Sequence, residues 1–170
     1  MMKYIAVFTV VLVLLAAALG VYAYVNIRLE VAEISLEAYP ATQQAEDFAS
    51  WQSAVDNGAV CGTAYTQSIP GTAADYSYFV YTLRLRNKGL IDAEMVEVQT
   101  VPVNGDVLSY STTNTEGINA NTVIPSGSER DVWTVLITSK QNQDNHIVTR
   151  SFYITYYIWG IPVTVTAVYN

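Results

Sequence analysis

The sequence predicts an all-β head, an antiparallel sandwich of seven or eight strands with a short helical insertion, preceded by one N-terminal transmembrane helix. Three observations predict it. An uncharged apolar run occupies residues 4–25. Short stretches rich in Val, Ile, Thr and Tyr, bounded by turn residues, fill most of the remainder. No long helical pattern alternates with those stretches, which argues against a parallel α/β sheet. Residues 1–25 are therefore read as the anchor and 26–170 as the head, with the insertion at 40–75.

The anchor follows from length and flanks. Of the 170 residues, 51% are hydrophobic and only 14% charged, against roughly 25% charged in soluble chains, so part of the protein is expected outside water. From Tyr4 to Val25 only Thr9 and Gly20 interrupt the apolar series. A helix of that length spans about 33 Å, enough for a hydrocarbon core of roughly 30 Å. Tyr4 at one end, and Tyr22 and Tyr24 at the other, suit headgroup depth. The competing reading is a signal peptide cut after Val21-Tyr22-Ala23. Against it, the run exceeds a normal signal core and its basic start is the single residue Lys3. Lys3 and the α-amino group favour a cytoplasmic N-terminus, placing the head outside the cell as a single-pass membrane protein.

Strands come next. Ile27, Leu29 and Val31 alternate with polar neighbours, and Ile34 and Leu36 resume one residue out of step. A bulge near Ala32 accounts for the slip. Phe79, Tyr81, Leu83 and Leu85 form one face of a long strand, with Tyr78, Val80, Thr82, Arg84 and Arg86 on the other. Asn87-Lys88-Gly89 reads as a turn in which Gly89 supplies a positive φ. A strand over residues 93–103 is expected to pair back with 107–113 through Asn104-Gly105-Asp106, the strongest hairpin signal in the chain. Further strands follow at 118–124, 132–138, 147–159 and 163–169, with turns at Pro125-Ser126-Gly127 and at Gly160 and Pro162.

Between Pro40 and Asp75 the composition turns to Ala, Gln, Ser and Gly. Ala45, Phe48, Trp51 and Val55 share one helical face, Thr42 is placed to cap it, and Asn57-Gly58 to end it. This helix reads as a lid on the sandwich edge or open end; the alternative is a partner-binding face led by Phe48 and Trp51.

Chemistry is sparsely signalled. One Cys and one His exclude an internal disulfide framework and a zinc site built from those residue types. His146 reads as a solvated loop residue and Cys61 as a small apolar filler. There is no Gly-x-Ser-x-Gly elbow and no phosphate-cradling glycine loop. Eight basic against fifteen acidic residues, a net charge of −7, argue against nucleic acid. No enzyme activity and no cofactor are expected.

Aromatic content is the distinctive feature, with thirteen tyrosines and three tryptophans. Tyr153, Tyr157 and Trp159 are read on one strand face, open to a protein or a sugar. Phe152, Ile154, Tyr156 and Ile158 take the opposite, core face. The candidate interaction surface is therefore Phe48, Trp51, Tyr153, Tyr157 and Trp159.

The run Leu83-Arg84-Leu85-Arg86-Asn87-Lys88-Gly89 resembles the strand and N-x-G turn of immunoglobulin-like domains such as the CARDB type. Ile124-Pro125-Ser126-Gly127-Ser128 with the strand from Val132 is similar to their proline-glycine turn. With the anchor, the plan also resembles the LEA type 2 (water-stress and hypersensitive response) domain. It departs from both at the 40–75 insertion, and the LEA-type Asn-Pro-Asn segment is Asn-Lys-Gly here. The resemblance implies an immunoglobulin-like binding or structural module and transfers no functional residues. The expected function is an accessory or scaffold subunit, held in the lipid bilayer through Tyr4–Val25 and meeting a protein partner or a second copy. The alternatives are a pilin-like filament subunit with the apolar helix as assembly core, and a glycan-binding surface module.

Overall fold

The computed structural model describes residues 2–26, 29–111, 122–140 and 149–170. Helix α1 spans Met2–Val25. Within it, Tyr4–Tyr22 is apolar and long enough to cross a membrane, and none of that stretch is buried against the head. Between its flanking tyrosines the Thr9 hydroxyl is satisfied within the helix, Oγ1 donating to the Ile5 carbonyl at 2.9 Å.

The head runs β1 (Leu29–Pro40), α2 (Ala45–Asp56), β2 (Thr63–Ala64), β3 (Tyr76–Asn87), β4 (Glu94–Thr100), β5 (Asp106–Ser111), β6 (Glu129–Ser139), β7 (Arg150–Ile158) and β8 (Ile161–Tyr169). It forms two antiparallel sheets, one of five strands in the order β1-β3-β6-β5-β2 and one of three in the order β4-β7-β8. Their inner faces share one core, in which Phe79, Tyr81, Leu83 and Leu85 of β3 meet Val96 and Val98 of β4 and Phe152, Ile154, Tyr156 and Ile158 of β7. Both expected core faces are therefore in place. The register of β1 on β3 shifts between Val31 and Glu33, so the slip in the hydrophobic alternation is a bulge at Ala32.

Asn104-Gly105 does not close a hairpin. β4 pairs with β7, whereas β5 pairs with β6 and β2, so this turn carries the chain from one sheet to the other. An Asn-Gly pair fixes a tight reversal but not which strand the next segment joins. At this crossing the Asp106 carboxylate accepts from the Val103 amide at 2.8 Å and pairs with the buried Arg150 of the other sheet. Nor does Gly89 carry a positive φ, since among the described residues the glycines that do are 58, 62, 71, 105, 127 and 160. The turn after β3 is held by the buried Asn87 side chain, whose Oδ1 accepts from the Gly89 amide at 2.9 Å. Its Nδ2 donates to the carbonyls of Ile91 and Ile124. The expected strand over 118–124 lies outside the described residues except at its end, where Ile124 bridges Ala93. His146 also lies outside them.

The 40–75 insertion contains α2, but Thr42 does not cap it. A 3-10 turn over Ala41–Gln44 precedes α2, whose N-terminus has no side-chain cap. Asn57 and Gly58 do end it, Gly58 with φ +65°. The helix lies over the outer face of the five-stranded sheet at one end. There Phe48, Val55 and Ile69 form a second core with Tyr76 and Tyr78 of β3 and Ile137 of β6. This explains why the first half of β3 is buried on both faces while Arg84 and Arg86 farther along are exposed.

Candidate functional site

The two outer sheet faces differ in chemistry. On the uncovered part of the five-stranded sheet, pairing aligns Glu33, Arg84 and Asp131 in one row. Arg84 bridges Glu33 at 3.0 Å and Asp131 at 2.9 Å. Arg86 pairs with Glu129, and Lys88 with Glu30 at 2.6 Å. Exposed pairs like these add little stability, but they hold the strand register and neutralise one another.

The outer face of the three-stranded sheet carries instead three aligned rows: Gln99-Tyr153-Thr166, Glu97-Thr155-Thr164 and Glu94-Tyr157-Pro162. Thr155 and Thr164 hydroxyls meet at 3.1 Å, and Gln99 donates to Glu97 at 3.1 Å. Tyr153 is 46% exposed and Tyr157 half-buried. The face presents phenol rings framed by hydroxyls, with acids only along the β4 edge. Each phenol combines apolar ring area with a hydroxyl able to hydrogen-bond.

The remaining predicted surface residues separate. Phe48 is 2% exposed and sits 5.1 Å from the Tyr76 ring. Trp51 stacks on Tyr110 at 4.4 Å. α2 therefore packs within the head as a lid would, though on the outer face of the five-stranded sheet rather than on the sandwich edge or open end, and Phe48 is not available to a partner because its ring is spent on the second core. Trp159 is not on the strand face with Tyr153 and Tyr157. It occupies the β7–β8 turn with φ +51° and is 61% exposed. Cys61 is exposed rather than a core filler, because the loop after α2 carries it clear of the second core.

Sequence reasoning missed the buried polar centre. Arg150 donates to Asp106 through both terminal nitrogens, at 2.7 and 2.8 Å, with the two side chains 1% and 0% exposed. Thr138 Oγ1 donates to the same carboxylate at 2.6 Å. Beside it Ser109, Thr100 and Thr134 hydroxyls cluster between the sheets. The one available signal was position: Arg150 opens an otherwise apolar β7 pattern, and Asp106 follows the Asn-Gly turn. This centre binds the sheets together and is closed to solvent.

Burial also sets the tyrosines. It pushes the Tyr110 phenol up to about 12, with help from Tyr39 and Asp47 and against a hydrogen bond from Trp51. Tyr78 is raised further, chiefly by burial. Tyr156 is raised by burial against a hydrogen bond from the Leu29 backbone, a contact that ties β7 to the start of β1.

Where β1 and β8, the outer strands of their sheets, face each other, a groove of about 680 Å3 opens between Val31, Ala32 and Ile34 on one side and Val165, Ala167 and Tyr169 on the other. Among the described residues no group of three or more His, Cys, Asp or Glu is placed to hold a metal ion. No family model and no curated protein matches this chain.

Proposed function

We propose that this chain is a single-pass membrane protein whose head is an immunoglobulin-like sandwich working outside the cell by non-covalent contact, as an accessory or scaffold subunit. Strand order supports the fold. Lettered in chain order without β2, the sheets read A-B-E-D and C-F-G, the arrangement of constant-type immunoglobulin domains, and β2 then belongs to the insertion between A and B. The observation that carries the function is the Tyr153–Tyr157 face. Tyrosine is enriched and charge depleted at the centres of protein interfaces, whereas the other outer face is covered by α2 at one end and carries ion pairs at the other, with Trp133 exposed between them.

The test uses the full chain in its native membrane, with a photo-reactive benzoylphenylalanine at position 153 or, as a control, at exposed Ser35 on the other sheet. Position 153 is expected to yield a discrete adduct that Tyr157→Glu abolishes. An adduct of twice the chain's mass identifies a second copy as the occupant. Adducts at neither position, or equally at both, overturn the reading. The side of the membrane is read separately from Cys61, the sole cysteine and exposed. A membrane-impermeant maleimide labels it on intact cells if the head is outside; labelling only after permeabilisation places the head inside.

A further inference from the structure

We propose that the anchor-side end of the head is itself a lipid-docking surface, with Trp159, Met95, Leu90 and Ile161 seated in the headgroup layer of the bilayer that α1 spans. The inference rests on the transmembrane reading of α1 and goes beyond it. It says how the head is held, not only that it is tethered.

Strand pairing fixes which loops share that end. β1 begins at Leu29, opposite Asn87 at the close of β3. The loop after Asn87 holds Leu90 and leads to β4, whose first residue, Glu94, pairs with Tyr157 near the end of β7. Ile158 pairs with Ile161 across the two-residue turn Trp159-Gly160. The start of β1, the β3–β4 loop, the first turn of β4 and the β7–β8 hairpin tip therefore lie together. They carry Leu90, Met95, Trp159 and Ile161, exposed by 59, 54, 61 and 45%.

Two of these residues are held in an unfavourable backbone state. Met95 and Trp159, with φ +50° and +51°, are the non-glycine positive-φ positions among the described residues. Trp159 and Gly160 (φ +75°) form a turn with both central residues left-handed, where Asn-Gly is the favoured pair. Met95 sits in the register shift of β4 between Glu94 and Glu97. A bulky apolar side chain in that conformation is an outlier that local structure does not reward. Both outliers turn a large apolar side chain outward at the same end.

The anchor supplies the occupant. α1 has 24 residues, about 36 Å of helix, some 6 Å more than a hydrocarbon core. Its C-terminal end then already lies at headgroup level. Only residues 26–28 separate α1 from Leu29, and four Cα–Cα steps extend at most about 15 Å. The tether thus keeps this apolar end of the head within reach of the depth at which tryptophan is favoured. Of the charged groups here, Lys88 pairs with Glu30 and Asp92 accepts from the Ser126 amide, while Glu94, exposed beside Met95, leaves this end with an excess of acid. Contact by apolar insertion into zwitterionic lipid follows, without a need for anionic headgroups.

The full chain is reconstituted in phosphatidylcholine vesicles, plain or brominated at acyl carbons 6 and 7, and tryptophan emission is compared. Trp51 lies under the far end of the head and Trp133 on the five-stranded sheet, so bromine is expected to quench roughly one third of the emission, one indole of three. Trp159→Asn is expected to abolish that component while keeping or raising the thermal midpoint, since Asn suits the turn; Trp159→Phe removes the indole with less change of shape. Retention of the chain by carbonate-washed vesicles with no quenching overturns the docking and leaves the anchor standing. Quenching that survives both variants also overturns it. Blue-shifted emission from Trp159 that ignores bromine and grows with protein density puts a second copy there instead, and overturns it as well. Loss of the chain from washed vesicles defeats the anchor and the docking together.

Discussion

Asp106→Ala tests the buried polar centre most directly. The variant removes the carboxylate paired with Arg150, a side chain 1% exposed, and takes the acceptor from Thr138 and from the Val103 amide. Breaking a buried pair from one side costs about 3–5 kcal/mol, because a charge stays buried and uncompensated. That is a large share of a total stability of about 5–15 kcal/mol. For a head of this size each kcal/mol moves the midpoint by about 3–4 °C, so a fall of roughly 10–20 °C is expected. Near-ultraviolet circular dichroism of the full chain in detergent micelles reads it through the head's tyrosines and tryptophans. The double replacement Asp106→Leu with Arg150→Met is expected within about 2 kcal/mol of the parent, or above it, since an apolar pair of similar volume avoids desolvating two charges. A single-variant loss under about 3 °C would refute the reasoning: it would mean that solvent reaches the guanidinium. A double variant worse than the single would show that the charges contribute net stability.

Phe48→Ala empties the second core under α2 and should cost about 3–5 kcal/mol; thermal melts check it, and unchanged stability with altered partner capture would restore the partner-face reading of this helix. Alkaline titration followed at 295 nm should show Tyr110 and Tyr78 ionising well above the ordinary value near 10. Their folded pKa values are raised by burial, so the neutral phenols contribute stability that is fully present below pH 10. It drains away as pH climbs toward the folded value, about 12 for Tyr110. Full ionisation of all tyrosines near pH 10 in a head that stays folded would contradict the burial. Gly62→Ala should weaken the pairing of β2 with β5, because its Cβ would lie 2.6 Å from the Ser109 carbonyl at a φ of +152°; hydrogen exchange of the Tyr65 amide, bonded to Val107, reads the loosening.

Much of the candidate site was legible in the chain. Alternation placed Tyr153 and Tyr157 opposite Phe152, Ile154, Tyr156 and Ile158, and the structure keeps both faces because period two survives any packing of a strand. Trp159 escaped this logic: three residues before Pro162, it reads as one more strand position, and only the Ile158–Ile161 pairing makes it a turn. Phe48 and Trp51 were identified as one apolar helical face, yet the face says nothing about what covers it. Their partners, Tyr76 and Tyr110, are distant in sequence.

By itself the sequence determined the features set by local chemistry: an apolar helix of membrane length, the inward faces of β3 and β7, the bulge at Ala32, and the end of α2 at Asn57-Gly58. Each depends on period, length or backbone preference within about a dozen residues. Tertiary structure alone decided which strands pair, and so made Asn104-Gly105 a passage between sheets. It also joined Arg150 to Asp106, buried one end of the five-stranded sheet twice over, and gathered Leu90, Met95, Trp159 and Ile161 at one end of the head. These are contacts between residues far apart in the chain, and their energy depends on burial and charge compensation that exist only once the two sheets have closed on each other.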